Sequence, residues 1–94
     1  MTKPFYTRAA EQDLSDILAY ISHDKPDAAL AWVEKIESKC LMIADHPDMG
    51  ELTPHLGEGI RSSFVGRYVI FHRHANDRVE ILRVIPGDRN ITQL

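Results

Sequence analysis

One cysteine, Cys40, stands in a chain of 94 residues. A disulfide framework is therefore excluded, and the position of Cys40 on an apolar helical stripe marks it as a buried structural thiol rather than a reactive one. No stretch approaches the roughly 18 consecutive apolar residues of a membrane span, and no apolar run near Met1 resembles a signal peptide, so a cytoplasmic location is expected. Neither a repeat nor a polar linker interrupts the chain, and one domain over residues 1–94 is expected. There is no G-x-S-x-G, no phosphate-binding loop and no Cys–His spacing, so nucleophilic catalysis and nucleotide binding have no support. Metal chemistry lacks a ligand set: His72 and His74 share a strand face without a third ligand, and His23, His46 and His55 fall at helix ends or in loops. No cofactor is implied.

What remains is ordinary globular material, 44% hydrophobic and 27% charged. A chain this short buries only about 60–65% of its unfolded surface, so its stability is modest. The net charge of −3 hides a division. Residues 1–59 carry eleven acids against Lys3, Arg8, Lys25, Lys35 and Lys39, a balance of −6, whereas residues 60–94 carry six arginines against Asp77, Glu80 and Asp88, a balance of +3. The arginine fork matches carboxylates and phosphates, so the second half suits an acidic partner. The overall acidic balance argues against stable direct nucleic-acid binding by the chain alone.

Residues 3–7 read as a short extended start with Phe5 toward the core and Thr7 as a helix N-cap. Ala10, Leu14, Ile17, Leu18 and Ile21 recur at the three-and-four spacing of a helix over residues 8–22, with Glu11 and Asp13 in its early turns. After the break at residues 23–26, where Asp24 can cap and Pro26 is tolerated, Ala29, Trp32, Val33, Ile36, Cys40, Ile43 and Ala44 mark a second helix ending near Asp45. Residues 51–59 read as loop, and 60–65 as a strand with Gly66 as a bend. Runs 67–74 and 78–85 flank Asn76-Asp77, a hairpin signature. Centring the turn there opposes Arg73 with Glu80, His72 with Ile81, Phe71 with Leu82, Ile70 with Arg83 and Val69 with Val84. Val69, Phe71, Leu82 and Val84 then form the core face, and Tyr68, Ile70, His72, Ile81, Arg83 and Ile85 a face for a partner. The elements combine into an α+β fold, a two-helix antiparallel hairpin packed on an antiparallel sheet of about four strands.

Arg61, Arg67, Arg83 and Arg89 are the constellation that could carry function. Strand arginines can clamp a scissile phosphate and, with a nearby His or Tyr to move protons, cleave RNA without a metal. They can equally pair with the acidic helices or with an acidic protein partner.

The chain resembles toxins of the RelE/ParE superfamily of bacterial type II toxin–antitoxin systems, closer to the ParE branch. The likeness rests on Ala10-x-x-Asp13-Leu14-x-x-Ile17, Pro26-x-x-Ala29-x-x-Trp32 with Ile36, and His46-Pro47-x-x-Gly50. It continues through Gly59-Ile60-Arg61-Ser62, Val65-Gly66-Arg67-Tyr68-Val69-Ile70-Phe71, Val79-Glu80-Ile81-Leu82-Arg83-Val84 and Gly87-x-Arg89. The resemblance implies the same helix-hairpin-on-sheet fold and one of two activities. ParE-like toxins bind DNA gyrase and trap its cleaved DNA complex. RelE-like relatives cut mRNA in the ribosome, and here that set would be Arg67, Tyr68, His72, Arg83 and Arg89. Tyr68 stands where RelE-like enzymes place an arginine, and no tyrosine follows Arg89. Both departures favour the gyrase-directed reading, although Pro86 stands where a histidine is common in the ParE pattern. The expectation is a non-catalytic toxin neutralised in a hetero-oligomer by a ParD-like antitoxin, contacting antitoxin or target through Arg61, Arg67, Tyr68, Arg83 and Arg89. The alternatives are a ribosome-dependent mRNA endoribonuclease and a non-toxic binding member.

Overall fold

The computed structural model describes residues 3–88, 91 and 94. The chain runs β1 (Phe5–Tyr6), α1 (Arg8–Asp24), α2 (Pro26–Asp45), β2 (Glu51–Leu52), β3 (Ile60–Val65), β4 (Tyr68–Ala75) and β5 (Arg78–Pro86). Thr7 ties the first strand, the first helix and the last strand together. Its Oγ1 accepts from the Ala10 amide at 3.1 Å and donates to the Leu82 carbonyl at 2.9 Å, and its own amide donates to the Ile81 carbonyl at 3.1 Å. The N-cap expected of Thr7 is thus present. The second helix starts differently from expectation. Asp24 closes α1 instead of capping α2, whose N-cap is Lys25 without a side-chain bond, and Pro26 presets the first turn.

The strand order is β1-β5-β4-β3-β2, antiparallel throughout except for β1 beside β5. Five strands rather than about four arise because Glu51 and Leu52 pair with Ser62 and Arg61, within a stretch expected to be loop. Phe5 does not enter the core. It is 42% exposed and lies under the Arg78 guanidinium at 3.9 Å, while Tyr6 turns inward against the core. In strand alternation one of the two must face out, and the cation gives the exposed ring a partner.

Asn76 and Asp77 form the tight turn of the β4–β5 hairpin with φ of 55° and 59°, the doubly left-handed geometry that Asn and Asp tolerate. The register holds for Arg73 with Glu80 and His72 with Ile81, then slips. Phe71 opposes Arg83, Ile70 opposes Val84 and Val69 opposes Ile85, because a β-bulge inserts Leu82 as an extra residue. The bulge places Ile81 and Val84 on one face. That face also carries Tyr68, Ile70 and Val79, and it packs on Ala10, Ile17, Ile36, Cys40, Ile43 and Ala44 of the helices. Up to the bulge the hairpin is therefore turned over relative to the expected sorting: Tyr68, Ile70, His72 and Ile81, assigned to a partner, are buried on the helix side, whereas beyond it Val84 faces the helices and Ile85 the other side as expected. Val69 and Phe71 instead join Ile60 and Ile85 in a second cluster on the other face, flanked by Leu56, Leu82 and Ile91. Each fully buried isoleucine contributes about 2–3 kcal/mol of transfer free energy, and Ile36, Ile43, Ile70 and Ile81 all lie in the helix-facing cluster.

Candidate functional site at the open end of the sheet

One end of the sheet gathers two exposed aromatics, Tyr20 and Phe64, around a guanidinium that has no carboxylate partner among the described residues. The β3–β4 turn, Gly66-Arg67, lies beside the exit of β5, and the Gly87 amide donates to the Arg67 carbonyl at 2.7 Å. Gly66, at φ +56°, is pressed against Trp32, where a Cβ would come 2.5 Å from the ring. Trp32 meets Tyr68 edge-on at 5.7 Å and 71°, Lys35 lies 4.9 Å from the Trp32 ring, and the Arg67 guanidinium sits 5.9 Å from the Tyr68 ring. This stack holds the turn rigidly on α2 and leaves Arg67 at the surface.

Three grooves converge there. The first, of 360 Å³, runs between α1 and the end of β5 and includes Tyr20, Arg67, Pro86 and Asp88. A second, of 290 Å³, lies on the sheet face away from the helices and includes Phe64, Phe71, Pro86 and Ile91. Between them a third, of 430 Å³, is lined by Phe64, Gly66, Arg67, Gly87 and Asp88. Arg67, Phe64 and Pro86 are each shared by two grooves, so the surface is continuous around the sheet end. Tyr20 is 71% exposed and Phe64 62% exposed, one on each side of Arg67. An arginine framed by aromatics is the composition of a binding hot spot.

Of the other arginines expected at a site, Arg61 and Arg83 are not brought to Arg67. Arg83 is committed to α1: its Nε and Nη2 donate to Asp13 at 2.7 and 2.9 Å, and the same carboxylate accepts the Val84 amide at 2.9 Å. The hydrogen bond to Asp13 raises the Arg83 pKa above its ordinary value. Arg61 donates to the Gly50 carbonyl at 3.1 Å near the opposite end of β3. Arg73 and Arg78 both reach Glu80 at 3.3 Å. Among the described residues no carboxylate pairs with Arg67, and Arg89 lies outside the described residues.

Of the set weighed for RNA cleavage, the two proton carriers are sealed in the core. Tyr68 is 3% exposed, and His72 has no exposed surface and bonds Ser63 Oγ through Nε2 at 2.9 Å. Burial, assisted by the Arg61 charge, lowers the His72 pKa to about 4. His72 cannot meet an RNA strand without unpacking the structure around it, whereas Tyr68, though almost fully buried, lines the groove between α1 and the end of β5. No group of three or more His, Cys, Asp or Glu side chains is placed to hold a metal among the described residues. Cys40 is fully buried and its thiol is pushed up to about 11, chiefly by desolvation.

Sequence reasoning missed Asp13, Ser63, Tyr20 and Phe64. Asp13 read as a helix-dipole acid, and only its place on the stripe with Ala10 and Ile17 could have shown that it faces inward. Phe64 alternates with the buried Ser63, a pattern that places it on the far face once strand orientation is known.

Comparison with known proteins agrees with this architecture. The family described as ParE toxin of type II toxin–antitoxin system, parDE, matches residues 5–91. The chain is 34% identical over 90 residues to Toxin ParE1 of Caulobacter vibrioides, covering 94% of this chain and 93% of that one. A solved structure from the chromosomal ParDE toxin–antitoxin system of P. aeruginosa superposes with a TM-score of 0.80 at 20% identity, over 94% of this chain and 98% of the other, a likeness of fold. No helix of the described residues is long and apolar enough to cross a membrane.

Proposed function

The chain belongs to the ParE toxin family of type II toxin–antitoxin systems, and from that premise we propose that it acts by binding, in the cytoplasm, on DNA gyrase and is neutralised by a ParD-like antitoxin. The observation that carries this reading is the surface at the sheet end, where Arg67 stands unpaired among the described residues between exposed Tyr20 and Phe64. Large aromatic area beside a guanidinium already set against the Tyr68 ring favours a protein partner, since the rigid rings and the pre-placed arginine lose little conformational freedom on contact. Tyr68 contributes by holding Arg67 in place beside the groove that it also lines. Arg61 and Arg89 remain candidate contacts, and Arg83 acts indirectly by fixing α1 against β5.

Two measurements test the proposal. Controlled expression in a bacterium should give filamentation with DNA-damage signalling, and purified protein should stabilise cleaved DNA in a gyrase reaction. Rapid translation arrest with cut mRNA would instead point to the ribosome. Normal growth together with undisturbed gyrase would leave a binding member without toxicity.

A further inference from the structure

The groove between α1 and the end of β5 has a chemistry opposite to that of the arginine-rich strands beside it. Its floor is Ile17, Tyr68, Val84, Ile85 and Pro86, and its rim carries Asp13, Asp16, Asp88 and Arg67 under the ring of Tyr20. Asp13 is already neutralised by Arg83 and by the Val84 amide. Among the described residues, Asp16, whose Oδ1 also accepts from Gln12 Nε2 at 2.9 Å, and Asp88 therefore face the single charge of Arg67, and the rim has a negative excess. At 360 Å³ the groove lies at the small end of the range for ligand sites, about 300–1,000 Å³, which suits a side chain or two rather than a whole helix.

We propose that this groove seats an arginine side chain of the protein partner, with its stem on Ile17 and Pro86 and its guanidinium between Asp16 and Asp88 against the Tyr20 ring. Arginine fits better than lysine because its planar, weakly hydrated head can stack on an aromatic face while its edge donates to two carboxylates. Arg67 at the same rim then takes an acidic neighbour from the same segment, so the partner presents adjacent charges of opposite sign. Strand addition along this stretch of β5 is disfavoured. The Val84 amide is taken by Asp13 and Pro86 has no amide to offer, so recognition falls to inserted side chains. The inference rests on the reading that a protein partner covers this end of the sheet.

The test is a titration of the full-length, ¹⁵N-labelled chain with N-acetyl-arginine amide, with the norleucine and glutamate analogues as comparison probes, at low salt. Saturable shifts at the Asp16, Tyr20 and Asp88 amides are expected for the arginine probe in the millimolar range. They should vanish in an Asp16→Asn/Asp88→Asn variant, whose exposed substitutions leave the amide spectrum otherwise folded. Absence of saturation, or equal response to the norleucine or glutamate probe, overturns the proposal. Antitoxin affinity is measured separately on the same variant, with at least a tenfold loss expected. An unchanged affinity overturns the arginine seat while the toxin–antitoxin reading stands. Failure of the unaltered chain to bind an antitoxin overturns that reading, and the probe titration still decides the seat.

Discussion

Replacing Asp13 by alanine is the perturbation with the largest effect derivable from the structure. The carboxylate is 10% exposed and the Arg83 side chain 26% exposed, and one acidic group satisfies two guanidinium hydrogens and a strand amide. Removing one partner of a buried pair costs about 3–5 kcal/mol, because the remaining charge is left desolvated without compensation. Arg83 keeps a quarter of its side chain in water, so the lower end, about 3 kcal/mol, applies, and that value includes the orphaned Val84 amide. For a domain of this size each kcal/mol moves the melting temperature by about 4–8 °C, so a fall of about 12–24 °C is expected. Asp13→Asn should lose roughly half as much, since an acceptor survives without the charge. Urea unfolding followed by circular dichroism gives the free energies, and a cycle with Arg83→Met isolates the pair, with a coupling of at least about 1.5 kcal/mol expected. A cost below about 1 kcal/mol for Asp13→Ala, or additivity in the cycle, would refute the clamp.

The remaining predictions concern the core histidine, the turn and the surface. His72 titrates near 6.5 when unfolded and about 4 when folded, so between those values the unfolded chain binds more protons. Stability is therefore full above about pH 6.5 and falls by up to about 3 kcal/mol as the pH drops toward 4; His72→Gln should flatten that part of the curve, and parallel curves for the two proteins would count against it. Gly66→Ala places a Cβ against Trp32 at a left-handed φ and should cost about 2 kcal/mol, read as a lowered urea midpoint with an unchanged slope. Phe64→Ser should leave stability within about 0.5 kcal/mol yet weaken antitoxin binding by about tenfold or more in calorimetry, and binding equal to that of the unaltered chain would remove Phe64 from the interface.

The helices and the hairpin were legible because their signals are local. The stripe from Ala29 to Ala44 specifies α2, and Asn76-Asp77 specifies the turn whatever surrounds it. Orientation of the sheet was not legible, for a physical reason. Both faces of β4 are apolar, Tyr68, Ile70 and His72 on one and Val69 and Phe71 on the other, so alternation cannot choose which one the helices cover. The bulge at Leu82 was not legible either, since no glycine announces it; its one inserted residue undoes the reversal beyond it, so that Val84 faces the helices and Ile85 the other side as expected. The same limit applies to the candidate site. Arg67 was recognisable by type, but Tyr20 and Phe64 come from a helix and a strand far apart in sequence and meet only once the sheet end is folded.

This placement of charges changes which substitution reports on function. Arg83 and Arg67 look equivalent in the sequence, both arginines on strands facing an acidic half. Arg83→Glu would set a carboxylate beside Asp13 and unfasten α1, so any loss of antitoxin binding would report a damaged fold. Arg67→Glu removes no described ion pair, and its neighbours Gly66 and Tyr68 stay locked under Trp32. Its expected signature is thermal stability within a few degrees of the unaltered chain, a slower association rate and a weaker salt dependence, as for a charge at the border of an interface. If Arg67→Glu instead left both association and its salt dependence unchanged, the sheet end would lose its claim, and the partner would have to be sought on the outer groove of the helix hairpin, where Leu14, Leu18 and Val33 lie between Glu11 and Glu37.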